Sequence, residues 1–223
     1  MAKLRTALVT LAATLLALLA TCTTARAAAD AVEPREGPPV ALAPPVPGPA
    51  GPRTDETSVN AAVTIPTIGV DDLTVVPYEG TTDDLAGTRI QDRGVAASPR
   101  GDTGGVGPGE IGNYLVTAHR LSAGGPLHDL PALRAGDVVT VVEDGRTYRY
   151  EITETRWTSF RSAPSLAEQR AAVPGHPDER PTRAMITLST CATPEDDAAG
   201  NHWRDELGNP EHRIDKVGVL IED

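Results

Sequence analysis

Ala184-Met185-Ile186-Thr187-Leu188-Ser189-Thr190-Cys191 is a short apolar run that ends on a thiol. With the two-residue period of a strand, Ile186 and Leu188 fall on one face, and Met185, Thr187, Ser189 and Cys191 on the other. A structural cysteine more often shares the Ile/Leu face, whereas this one sits on the polar face, as a groove residue does. The other cysteine, Cys22, lies in an N-terminal leader, so an exported mature chain has no internal partner for Cys191. A reactive nucleophile is then the leading explanation of the lone thiol.

Export follows from the first residues. Lys3 and Arg5 precede an uncharged Leu/Ala-rich run over residues 6–25, with small residues at 25–29. This is the charged and apolar pattern of a secretory signal, and its length of about 20 residues equally suits an uncleaved membrane anchor. Residues 1–29 are read as signal or anchor. Residues 30–58, with Pro38-Pro39, Pro44-Pro45 and Pro47, form a Pro/Ala/Gly-rich linker too poor in large apolar groups to pack a core. Residues 59–223 are one folded domain. The formal net charge of −11, without a basic cluster, excludes nucleic acid as a partner.

That domain reads as strands: residues 113–119, 137–143, 147–153 (Tyr148, Tyr150 and Ile152 alternating with Arg149, Glu151 and Thr153) and 213–221. Asp144-Gly145 is a turn, and the Gly-rich stretch 101–112 is a mobile loop without an assigned role. One helix is predicted over 165–172, with a Ser165/Glu168 capping box and a stop at Pro174-Gly175. Closely spaced strands with few helices indicate an all-β barrel or sandwich.

A thiol near its ordinary value of about 8.5 is only a few per cent ionised at neutral pH, so a catalytic cysteine requires a base and cationic neighbours. His119 ends an apolar strand and is the best placed of five histidines. His128, His176, His202 and His212 remain open on residue context alone. Arg213, opening the last strand, is a candidate donor for an oxyanion, with Arg204 in competition.

The strand ending at His119-Arg120, the Thr187-Leu188-Ser189-Thr190-Cys191 motif and the strand at Arg213 resemble, in that order, those of the sortases, cysteine transpeptidases of Gram-positive surfaces. Ile65-Pro66-Thr67-Ile68-Gly69-Val70 is similar to the family's first core strand, and residues 126–137 to the turn segment before a middle strand. The resemblance spans residues 61–221 and is nearest the actinobacterial housekeeping type, class E, given an N-terminal segment and no C-terminal membrane helix. It implies an eight-stranded β-barrel with one or two short helices, in which Cys191, His119 and Arg213 meet at one groove with Thr190 and Ala118 as substrate contacts. Cys191 would attack the Thr carbonyl of an LPxTG- or LAxTG-type signal on a surface protein, and a peptidoglycan amine would take the acyl group. The implied place of work is the outer face of the membrane or the wall. No cofactor or metal is implied, and a bell-shaped pH profile centred above neutrality is expected.

One segment departs from the family pattern. Residues 194–211 form a long polar insert whose Glu195, Asp196, Asp197, Asp205 and Glu206 invite a calcium reading, although a solvated acidic loop is the expectation. Three rival readings remain. An L,D-transpeptidase fits poorly, because Thr190-Cys191-Ala192-Thr193 lacks that family's motif. A pilin-polymerising sortase would carry an Asp-Pro-aromatic lid and a C-terminal membrane helix. A catalytically silent binding module would have lost Cys, His or Arg.

Overall fold

The β-branched and aromatic runs become strands in a computed structural model that describes residues 59–222. The segments read as signal or anchor (1–29) and linker (30–58) lie outside the described residues. In chain order the strands are β1 (Ala61–Ile65), β2 (Val70–Glu79), β3 (Ala96–Arg100), β4 (Gly112–Thr117), β5 (Val138–Glu143), β6 (Arg146–Ser159), β7 (Ala184–Cys191) and β8 (His212–Glu222). They close into one barrel in the order β1-β2-β3-β4-β7-β8-β6-β5, the eight-stranded architecture that the family resemblance implies. Closure leaves no sheet edge open for pairing with another chain. The pairs β2–β3 and β4–β7 are parallel, and the remaining neighbours are antiparallel.

The barrel interior is apolar. Val63, Ile65, Val116, Val141, Ile152, Ile186 and Leu188 are all fully buried there. Leu127, Leu130 and Leu133 join them from the loop between β4 and β5. That loop is fastened by Lys216 of β8, whose Nζ donates to the carbonyls of Pro131 (3.1 Å) and Leu133 (2.6 Å) and to Thr155 Oγ1 (2.8 Å). Ile65-Pro66-Thr67-Ile68-Gly69-Val70 is not one strand. Pro66 cannot donate to a ladder, so Pro66–Ile68 makes a 3-10 turn between β1 and β2.

Three short helices lie outside the barrel: α1 (Leu85–Gln91), α2 (Ala163–Arg170) and α3 (Thr193–Ala198). Only α2 carries a clear signal in the sequence, and its start differs from the 165–172 reading. Pro164 suits a first helical turn, so the helix begins earlier and Ser162 caps it, accepting from Ser165 N at 3.3 Å. Glu168 pairs with Arg156 (2.8 Å) instead of closing a capping box. The helix stops at Ala171, whose backbone turns extended before Pro174 is reached.

The insert between β7 and β8 contains α3 and is exposed at Asp197 and Glu206, while Glu195 and Asp196 are drawn into pairs. Residues 101–112 do form a loop, tied by bonds such as Gly105 N to Pro99 O (2.9 Å) and Val106 N to Asn113 O (3.1 Å). Among the described residues no helix is long and apolar enough to cross a membrane.

Candidate active site

β4 and β7 run side by side in parallel, with Thr117 opposite Ser189, so their C-terminal ends open at the same edge of the barrel. Cys191 ends β7, and its Cα partner on β8 is Arg213. His119 lies two residues beyond β4. Two bonds latch these ends together: Ala118 N donates to Ser189 O (3.3 Å), and Thr190 Oγ1 donates to Ala118 O (2.8 Å). Cys191, His119 and Arg213 therefore line one small pocket, with Ala118 and Thr190 in its wall. The hydroxyl of Thr190 is committed to the latch.

His128, His176, His202 and His212 do not line this pocket, and neither does Arg204. His128 pairs with Asp129 (2.8 Å), His202 with Asp197 (3.1 Å) and His212 with Asp196 (2.6 Å). Arg204 also bonds Asp197, at 2.6 Å.

The His119 ring is oriented by Asp92, directly after α1, through an Nε2···Oδ1 contact of 2.9 Å. Nδ1 is then the ring nitrogen left for chemistry. Cys191 is only partly exposed, and burial pushes its thiol above the ordinary range. Arg213 and Arg120 pull in the opposite direction, while Asp83 and Asp205 add to the rise. A thiol in this setting favours its protonated form, and to act as a nucleophile it would need a base.

Arg213 is 2% exposed yet charged. Burial opposes that charge, but Asp83, Cys191 and Asp215 outweigh it and hold the pKa above the usual arginine value. The guanidinium stacks on Phe160, 4.1 Å from the ring centre. Its Nε donates to Asp83 Oδ1 (3.1 Å), and its Nη1 to the carbonyls of Pro210 (3.2 Å) and His212 (3.3 Å).

Two contacts escape the sequence. Arg120 makes a two-pronged ion pair with Glu195 of α3 and donates from Nη1 to the carbonyl of Cys191 itself (3.3 Å). The residue after the histidine thus clamps the segment after the cysteine, and the adjacency His119-Arg120 was the signal available for it. Below the pocket, fully buried Asp215 accepts from Thr158 Oγ1 (2.6 Å) and Gln169 Nε2 (3.0 Å). Gln169 also bonds Ser189 (3.2 Å) and Thr82 (3.0 Å). This network satisfies the polar face of β7 beneath α2.

The acidic residues of the insert are largely spent. Glu195 serves Arg120, Asp196 accepts from the backbone and ring of His212, and Asp205 caps Leu207 and Asn209. Among the described residues no group of three His, Cys, Asp or Glu is disposed to hold a metal ion.

Residues 63–203 match the Sortase domain family, more than half of the chain. No curated protein matches it. Solved structures share its fold. SrtA sortase from Actinomyces oris superposes with a TM-score of 0.55 at 18% identity, over 78% of this chain and 85% of that one. Sortase E from Streptomyces avermitilis gives 0.52 at 24% identity, over 73% and 87%. Sortase E1 from Streptomyces coelicolor, solved with a tripeptide in the active site, gives 0.53 at 23% identity, over 74% and 88%. With a closed eight-stranded barrel and a cysteine at the end of β7, the family match leads to one conclusion: the chain belongs to the sortases, the cysteine transpeptidases.

Proposed function

We propose that this sortase works at the outer cell surface. It would cut an LPxTG- or LAxTG-type sorting signal after Thr and join the protein to a peptidoglycan amine. The observation that carries the reading is the convergence of Cys191, His119 and Arg213 on one pocket. Cys191 Sγ attacks the Thr carbonyl carbon as His119 takes the thiol proton. The carbonyl oxygen becomes an oxyanion, which Arg213 holds. The C–N bond then breaks, His119 returns the proton to the departing Gly amine, and a thioester to Cys191 remains. The acceptor amine attacks that thioester, His119 takes its proton, and Cys191 leaves as the thiol. A thioester keeps enough acyl-transfer potential to form a new amide without a nucleotide, provided amine outcompetes water.

The likeness in fold to two Streptomyces sortases E supports a housekeeping, class E assignment. The leader over 1–29 supports membrane proximity, with the linker over 30–58 as a spacer. Mass spectrometry of the full chain with LPxTG and LAxTG peptides plus an amine tests the reading. A thioester adduct and a Thr-amide product, both absent in Cys191→Ala, are the expected result. A folded protein with a titratable thiol and no adduct from either peptide would refute it.

A further inference from the structure

Asp83 lies in the turn between β2 and α1, 130 residues before Arg213, and its side chain is 11% exposed. The ion pair it makes is one-sided. Asp83 Oδ1 takes only the Nε proton of Arg213, although the guanidinium fork matches a carboxylate in two parallel bonds. Asp83 Oδ2 and Arg213 Nη2 are both buried with no hydrogen-bond partner. Nη1 is committed to Pro210 and His212, so Nη2 is the nitrogen of Arg213 left to bind anything else. Unpaired buried polar atoms are costly, and a pair left open beside a reactive thiol points to a ligand that completes it.

The turn itself is built to hold this carboxylate still. Tyr78 OH donates to Thr81 O (2.7 Å), Arg170 Nη1 donates to Thr81 Oγ1 (2.7 Å), Thr82 Oγ1 donates to Gln169 (3.0 Å), and Asp84 accepts from Thr81 N (3.0 Å) and Gly87 N (2.7 Å). Asp83 has φ +66°, a left-handed conformation that Asp, Asn and Gly adopt most easily. Backbone strain held in place by surrounding bonds is common where a side chain must be aimed.

We propose that Asp83 is a positioning residue for the transpeptidase reaction: it grips Arg213 at Nε and balances its buried charge, so that Nη2 is held ready for the substrate's carbonyl oxygen. This rests on the transpeptidase reading above. The arrangement is not an inhibitory plug, because the nitrogen that would meet the oxyanion is the one Asp83 leaves open. It has a side effect on the nucleophile. Asp83, with Asp205, makes the Cys191 thiolate harder to form, against Arg213 and Arg120, while His119 shares the pocket. Asp83 thus trades thiol ionisation for a fixed guanidinium.

That trade separates a positioning role from a merely structural one. Asp83→Asn and Asp83→Gly both tolerate φ +66°, so each keeps the turn while removing the charge. Two readouts are compared with the wild-type full chain: kcat and KM for LPxTG and LAxTG peptides with an amine, and the pH profile of Cys191 alkylation by iodoacetamide. The expected result is a fall in kcat of tenfold or more in both variants with KM changed less than threefold, while the alkylation profile shifts to lower pH. Wild-type or higher kcat in either variant would overturn the inference, a rise meaning that the turn is a restraint. Parallel loss of kcat and of thiol alkylation would also overturn it, marking Asp83 as structural. If the wild-type chain forms no thioester, the transpeptidase reading fails and this inference with it.

Discussion

The hairpin β5–β6 and the pair β7–β8 are both antiparallel and neighbours in one barrel, yet they are built on opposite plans. β5 and β6 are joined by the turn Asp144–Gly145, and β6 alternates, with Tyr150 and Ile152 inside and Glu151 and Thr153 in water. β7 and β8 are joined through residues 192–211, and β8 is buried without a break over 213–219. Three of those buried residues, Arg213, Asp215 and Lys216, carry ionisable groups. In the first pair one face is wet, so polar residues need no partner. In the second both faces are covered, so Arg213, Asp215 and Lys216 each take a partner far away in sequence, and Arg213 Nη2 alone among their polar atoms is left unpaired. A buried charge left unpaired costs several kcal/mol, and the candidate site lies on the side where most of those costs have been met.

Cys191→Ala tests the β7–β8 side most severely. Loss of transpeptidation by at least about 10³-fold is expected with unfolding unchanged, measured by product formation and urea titration. Retained turnover would remove Cys191 from the chemistry. Arg120→Ala comes next, since it frees Glu195 and the Cys191 carbonyl together. A loss of about 2 kcal/mol in urea unfolding is expected, below the range for a fully buried pair because Glu195 is partly solvated. Turnover should fall with it, and a change under about 0.5 kcal/mol would show that the clamp contributes little.

Asp215 provides the pH test. Burial raises its carboxyl pKa in the folded state, despite the hydrogen bonds from its neighbours. A raised folded value means that its favourable contribution is complete below the unfolded pKa, near about 3.9, and is lost as pH rises through the folded value. Asp215→Asn should therefore gain stability relative to the parent as pH climbs from 4 to 8. An unfolding difference that does not vary with pH would contradict the assignment. The smallest effect belongs to β5–β6. Asp144 (φ +48°) and Gly145 (φ +75°) both adopt left-handed backbone, and Gly145→Ala should cost about 1 kcal/mol and leave turnover untouched. A loss of activity there would show that the two sides are coupled.

The same contrast explains what could be read from residues alone. β6 was visible only as 147–153, because the alternation is clear there. Bulges at Arg149/Tyr150 and Ile152/Glu154 shift its pairing with β8, and Thr153, Glu154 and Thr155 are exposed in succession while the strand runs on to Ser159. The Ile186/Leu188 face of β7 was legible for the same reason as Tyr150 and Ile152. The partners of its other face were not, because Gln169 reaches Ser189 and Asn113 meets Thr187 from separate elements, with Thr82 in turn holding Gln169. α1 and α3 are too short, at 7 and 6 residues, to show a helical period. The acidic insert is exposed at Asp197 and Glu206, and what charge composition could not disclose is the pairing of Glu195 and Asp196.

By itself the sequence determined an all-β chain, a lone thiol at a strand end, and a histidine before it and an arginine after it as candidate partners. These follow from local periodicity and from the chemistry of single residues. Only the tertiary structure decided which arginine enters the pocket, how Arg120 clamps the nucleophile's segment, and that Asp83 meets Arg213 across 130 residues. Charge acts through space and leaves no period in the chain, so such partners exist only once the barrel has closed.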